Sequence, residues 1–443
     1  VATKKRQKEL RKQKTRKKRR EMKQPFFNVP EDMQKGIATC NRDVWLRAIV
    51  DRNQDLWRAV VEYLSWFEQH HYKSLGPEAI KQLCEFVQLT YTALSIEGFN
   101  PRPQDAMFMV QLGHIFQHLV AITGYERNDG ILRNLMLQQE NLIKIFFVLN
   151  PRCENQLDQE KLFELNPDLA SIWFATYIAG LSTPTKLIQN NVYRHLARMS
   201  ERYKVANYRQ SSIYFSCTYH CPENALRCKS IINKAIQEAG VPKFNNTPNP
   251  NAEKKHIAII TNRWHRNHAV YKSAGPLVEQ LLDKYRLSLI WTSPHKPPTI
   301  VKDYFETVSD CFFSQDGGLV IPPELENNDF DMAYFPDVGM SDESIWLSNA
   351  RIAPIQAVGY GHPDSTGANN CMDYFICGTV EKNADDAYSE TRVCIPGLAQ
   401  EPAWPTAPKE DKNEEKEQAQ AASADESTKS KGDVEDAASS VES

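Results

Sequence analysis

The chain has 443 residues, 41% of them hydrophobic and 25% charged, with a net charge of -3. That balance suits two or three globular domains and excludes collagen-like, mucin-like and wholly disordered chains. The longest apolar stretch, Ile143 to Leu149 broken by Lys144, is far short of the ~20 residues that cross a bilayer, and the basic start has no apolar h-region behind it, so a cytoplasmic protein without a secretory signal is expected.

The charge is unevenly spread. Residues 1–23 hold thirteen Lys and Arg against two Glu, and residues 409–443 hold five Lys against eleven Asp and Glu. Such blocks bury too little apolar surface to fold alone, so 1–24 reads as a basic arm and 401–443 as a disordered acidic tail. The arm contains almost no aromatic residues to stack on bases, and nucleic acid is not an expected partner. Ten cysteines without a secretory signal point to reduced thiols.

Between the charged ends, residues 30–245 read as an all-helical domain. Apolar positions recur at helical spacing in Trp45, Ile49, Leu56, Val60, Tyr63, Leu64, Phe67 and again in Ile80, Leu83, Val87, Tyr91, Leu94. Asn166-Pro167 announces a helix start, and further helices are expected at 105–123, 130–149, 186–203 and 222–239. No fixed-period repeat supports a solenoid. The Pro- and Asn-dense stretch after Gly240 punctuates the chain as a linker. From 254 to 400 the pattern changes to short strands at His256–Thr261, Leu287–Trp291, Cys311–Phe313, Met332–Phe335, Ile355–Val358 and Tyr374–Cys377, with helical stretches such as Gly275–Lys284 and Glu343–Asn349 between them. Alternation of this kind means βαβ units, a mostly parallel sheet and ligands at the carboxyl ends of the strands. The fold class is therefore α plus α/β, one helical domain followed by one Rossmann-like lobe.

Two loops carry candidate chemistry. The first, Asn262 to Ser273, follows a strand with two histidines, several cations and a tyrosine, a composition suited to an anionic ligand and a proton acceptor. The second, Tyr360-Gly361-His362-Pro363-Asp364-Ser365-Thr366-Gly367, offers glycine for close backbone approach and hydroxyls for sugar or phosphate oxygens. Each has a plain alternative: a basic surface loop in which His268 only caps a helix, and an ordinary turn. Cys217, Cys221 and Cys228 with His220 have spacing that fits no usual zinc pair. His114 and His118 lack the Glu of a metalloprotease helix and read as core. No metal site is assigned.

The stretch Ile352 to Pro363, continued by Ser365-Thr366-Gly367 and Met372-Asp373-Tyr374, resembles the acceptor-side lobe of the O-GlcNAc transferase family. It is most like the family's bacterial branch, the cytoplasmic N-glycosyltransferases that modify adhesins. Asn267-His268 with Tyr271-Lys272, Tyr334 to Met340, and Trp346 to Arg351 support the match. The resemblance implies a GT-B fold of two Rossmann-like lobes and inverting, metal-independent transfer of a hexose or GlcNAc from a UDP-sugar to a protein or peptide acceptor. No cofactor is implied beyond that donor. It assigns His268 as base or acceptor-orienting group, and Asn267, Tyr271, Lys272, Gly361, His362, Pro363, Ser365 and Thr366 as substrate-binding residues.

In the family a second lobe follows and carries most nucleotide contacts, whereas here Arg392 to Gly397 leads into the acidic tail. The expectation is a one-lobed chain that transfers sugar with a second-lobe glycosyltransferase chain supplied in trans. The alternative is a non-catalytic relative that binds a peptide or partner.

Overall fold

A computed structural model of the chain describes residues 42–69, 77–138, 142–179, 185–205, 209–314, 317–359, 361, 364–367, 370–379 and 387–397. The basic arm, the acidic tail, Tyr360, His362 and Pro363 lie outside them.

Twelve α-helices among the described residues run from Arg42 to Ala239. Asn166 starts one of them as its motif implies: its side chain accepts from the Leu169 amide at 3.1 Å, with Pro167 in the first turn. The helix expected over 105–123 is two, Pro103–Gln111 and Gly113–Ile122, broken at Leu112. Gly113 lets that break lie against the neighbouring segment, since a Cβ there would meet the Phe147 carbonyl oxygen at 3.0 Å. Residues 130–149 likewise divide, into Asp129–Leu137 and Leu142–Val148. The helix Gln210–His220 goes beyond the helices that the sequence announces. Its residues, QSSIYFSCTYH, bury a stripe at Ile213, Tyr214 and Cys217 but intersperse it with Ser and Thr, which obscures the period. None of the helices among the described residues is long and apolar enough to cross a membrane.

Among the described residues, the second half holds nine strands: β1 (Lys255–Thr261), β2 (Tyr285–Trp291), β3 (Thr307–Asp310), β4 (Phe312–Phe313), β5 (Leu319–Val320), β6 (Met332–Phe335), β7 (Ile355–Val358), β8 (Tyr374–Gly378) and β9 (Thr391–Ile395). Seven form one sheet in the order β3-β2-β1-β6-β7-β8-β9, each neighbouring pair parallel, while β4 and β5 make a separate antiparallel hairpin. β1 is buried from His256 to Thr261, which is why it reads as a nearly continuous apolar run. The strand expected at Cys311–Phe313 is half of the hairpin, and the sheet strand just before it, TVSD, is too short and polar to announce itself. The helix expected at Gly275–Lys284 is Ala269–Glu279, starting six residues earlier with His268 as its cap and Pro276 within it. This parallel sheet with helical connections is the Rossmann-like lobe, and the all-helical region precedes it.

The Pro- and Asn-rich stretch after Gly240 is pinned along the lobe rather than left as a free tether. Asn246 Nδ2 donates to the carbonyls of Leu325 (3.0 Å) and Ile352 (2.9 Å), and its Oδ1 accepts from the Asn328 amide at 2.6 Å. Helices and lobe are joined by a buried polar seam. Asp342 accepts from the amides of Arg209 (2.7 Å) and Ser211 (2.6 Å), fixing the start of the helix Gln210–His220. Lys229, with a fully buried side chain, pairs with Asp364 at 3.1 Å and donates to the Ser365 carbonyl at 2.7 Å.

Candidate functional site

The strand order reverses between β1 and β6, and in open α/β sheets such a reversal opens a crevice outside the carboxyl ends of the strands. A cleft of about 840 Å³ opens there. The lobe lines it with Arg263 and His268 from the loop after β1, and with Gly339 and Met340 from the loop after β6. Its other wall is helical: His118, Ile178 and Ala179, with Ser211, Ser212, Phe215, Ser216 and His220 from one helix.

His268 sits where the cleft meets the amino end of the helix Ala269–Glu279. Its Nδ1 accepts from the Val270 amide at 3.1 Å, so the neutral ring carries its proton on Nε2. Burial, then the charges of Arg263 and His265, lower its pKa to about 4. Near neutral pH the ring is therefore an uncharged N–H donor. Acting as a base through Nε2 requires the opposite tautomer, which would surrender the cap, so of the two roles the resemblance implies, orienting an acceptor oxygen fits this geometry better.

Arg263 supplies the positive charge. Its backbone amide donates to Thr261 Oγ1 at 2.9 Å and its Nη2 to the Met340 carbonyl at 2.9 Å, while its buried Nε has no hydrogen-bond partner among the described residues. Behind it Asp337 is fully buried, with Oδ1 accepting from Thr261 Oγ1 at 2.7 Å and Oδ2 unpartnered among the described residues. Burial raises this carboxyl to about 6, against the lowering effects of the Thr261 hydrogen bond and the Arg263 charge. An arginine held beside a neutral imidazole donor can receive an anionic or strongly polar oxygen ligand.

The other expected residues are placed differently. Asn267 and Lys272 are exposed beside the cap, outside the cleft lining. Tyr271 braces its helix, with its hydroxyl donating to Glu279 at 2.9 Å and its ring edge-on to Trp264 at 5.4 Å. Gly361 donates its amide to the Pro336 carbonyl at 3.0 Å, and a Cβ there would collide with that oxygen. Gly361→Ala is expected to cost ~1–3 kcal/mol through backbone displacement, read as a lower urea midpoint; an unchanged midpoint would show that the loop yields freely.

Ser365 and Thr366 are engaged within the chain. Both are buried, and their hydroxyls are spent on Glu390: Ser365 Oγ donates to it at 2.8 Å, and Thr366 donates through both its amide, at 2.9 Å, and its hydroxyl. The Thr366 carbonyl in turn accepts from Asn233 at 2.9 Å and from the Tyr214 hydroxyl. In this arrangement the pair anchors the loop to the helices and presents no hydroxyl to a sugar.

The cleft's helical wall is not legible in the sequence, because the helix that supplies most of it has no clear period. Helical spacing groups His118 with the core. Its neighbours Phe116 and Leu119 are indeed buried, but His118 itself is half-buried and lines the cleft. Arg263 stands in the first candidate loop, and only the structure shows that it lines the cleft. Cys217 and Cys228 are buried and donate to the carbonyls of Tyr214 and Leu196, each at 3.2 Å. Burial pushes the Cys217 thiol up to about 12 and raises that of Cys228 as well.

No family model matches the chain. Two curated proteins do, both UDP-glucose:protein N-beta-glucosyltransferases of Actinobacillus pleuropneumoniae, one from serotype 5b strain L20 and one from serotype 7 strain AP76. Each is 23% identical over 291 residues, covering 61% of this chain. Over that span the chain is similar to these glycosyltransferases. It spans 46% of the length of each relative, about half. Among solved structures, a mutant O-GlcNAc transferase of Thermobaculum terrenum aligns over 83% of this chain and 60% of its own at 11% identity, with a TM-score of 0.33. That score is too low to imply a shared fold.

Proposed function

We propose that this chain is the acceptor-side part of a protein glycosyltransferase, transferring a hexose or GlcNAc from a UDP-sugar to a protein side chain without a metal and with inversion. The observation that carries the reading is the cleft at the β1/β6 reversal, where His268 and Arg263 face a helical wall, in a chain related to protein glucosyltransferases. In this reading the acceptor lies between the helical wall and the β1 loop, the His268 Nε2–H fixes the accepting group, and Arg263 counters the negative charge that grows as the UDP departs. His268 alone is assigned to the reacting centre. Gly361 is assigned to shaping its own loop, Asn267 and Lys272 to the rim that meets acceptor or donor, and His362 and Pro363 to substrate binding, as the resemblance implies. Donor contacts come chiefly from a second lobe, in the same polypeptide or in a companion chain.

The 443-residue chain by itself is then expected to bind UDP-glucose only at about millimolar, or ~4 kcal/mol. Titration calorimetry measures this, and micromolar binding would mean that the lobe described here holds its own complete nucleotide site. Activity is tested by intact mass of an acceptor protein incubated with UDP-glucose or UDP-GlcNAc, this chain and a second-lobe partner. One hexose or HexNAc added per site supports the proposal.

A second reading is favoured by the sealed hydroxyls of Ser365 and Thr366: a non-catalytic relative that holds a peptide in the same cleft. It predicts retention of the acceptor without any mass increase, even when the second lobe is supplied.

A further inference from the structure

We propose that Cys377 and Cys394 form a disulfide site at the edge of the parallel sheet, closed by a peroxide-class oxidant and reopened by thiols. The two residues are register partners on β8 and β9, and their Sγ atoms stand 3.7 Å apart. Register partners on adjacent strands have Cα atoms roughly 4.8 Å apart, inside the roughly 4.4–6.8 Å window that a disulfide spans. The sulfur contact puts both side chains on one face, so small side-chain rotations suffice to bring the atoms from contact to bonding distance.

The two thiols differ in access. Cys394 is exposed on β9, the last strand of the sheet in its order, whereas Cys377 is buried beneath it. Cys394 therefore meets the oxidant first. Its thiolate attacks one oxygen of hydrogen peroxide, the O–O bond breaks, and the released hydroxide takes a proton to leave as water, giving a sulfenic acid. The Cys377 sulfur then attacks the Cys394 sulfur; the S–O bond breaks, the hydroxyl leaves with the Cys377 proton as a second water, and the S–S bond forms. Two thiols and one peroxide become one disulfide and two waters.

Closure reaches beyond the edge. β9 follows directly on Glu390, whose carboxylate binds Ser365 and Thr366, the residues whose carbonyls accept from Lys229 and Asn233 of the helices. A covalent β8–β9 tie would stiffen the strand that carries this anchor, so hydrogen exchange should slow in 387–397 and in 364–367. The site is independent of the glycosyltransferase reading.

The test treats the full chain with hydrogen peroxide under native conditions, blocks free thiols with iodoacetamide, and digests without reduction for peptide mass spectrometry. A linked pair of peptides carrying Cys377 and Cys394, two hydrogens lighter than their sum and separated by dithiothreitol, is the expected result. In Cys394→Ser the linked species should vanish and the slowed exchange with it. Three outcomes overturn the proposal: Cys394 proceeding to sulfinic or sulfonic acid with Cys377 still alkylatable, a link from Cys394 to a different cysteine, or both thiols remaining reduced at peroxide levels that oxidise free glutathione completely.

Discussion

His268→Asn is expected to lower the proposed sugar transfer by ~10²–10³ while leaving stability nearly unchanged. An asparagine at this position can keep the helix cap, because its Oδ1 can accept from the Val270 amide as Nδ1 does now. What it loses is the ring Nε2–H that points beyond the cap. His268→Ala should lose both, adding ~1 kcal/mol of destabilisation to the same loss of turnover. Comparing the two variants separates chemistry from capping, and full activity in His268→Asn would remove the imidazole from the reaction. The pH dependence follows from the same geometry. With a folded pKa of about 4 against an ordinary value of 6.5, the unfolded chain takes up the proton first as pH falls. The contribution of His268 to stability is therefore intact above 6.5 and is lost progressively between 6.5 and 4. In His268→Asn the unfolding midpoint should fall less across that window.

Lys229→Met should be the most destabilising single change in the seam between helices and lobe, at ~3–5 kcal/mol. Lys229 is fully buried, and its ammonium faces both the Asp364 carboxylate and the Ser365 carbonyl. Methionine fills similar volume but leaves Asp364, only 12% exposed, without its counter-charge. The double variant Lys229→Met/Asp364→Asn should recover much of the loss, since the cost lies in the stranded charge rather than in the absent pair. Urea unfolding of the four proteins of the cycle measures it. A loss below ~1 kcal/mol in the single variant would mean that water reaches the pair and that the seam is not dry.

The contrast between the two loops shows what a sequence can and cannot convey. β1 is legible because a central parallel strand is apolar on both faces, and the loop after it because so many titratable residues crowd one strand-to-helix turn. The start of the following helix is harder to place because histidine is not among the usual capping residues. Local composition makes Ser365 and Thr366 look like ligand hydroxyls, but their partner Glu390 lies 25 and 24 residues away, and the helices that seal them stand more than 130 residues earlier in the chain. The helical wall of the cleft is illegible for a related reason: Ser211, Ser212 and Ser216 acquire meaning only because Asp342, from the lobe, fixes the start of their helix. Resemblance finds the lobe, and only the packing of distant segments shows which of its polar residues face open space.

The proposed chemistry requires the cleft to be the place where the acceptor meets His268. The most direct measurement is the intact mass of an acceptor protein co-expressed with the second-lobe partner and either the wild-type chain or Ser216→Trp, which places a bulky ring in the cleft from its helical wall. The predicted result is a glycosylated acceptor with the wild type and an unmodified one with Ser216→Trp, at equal urea midpoints for the two chains. Equal modification by both would contradict it.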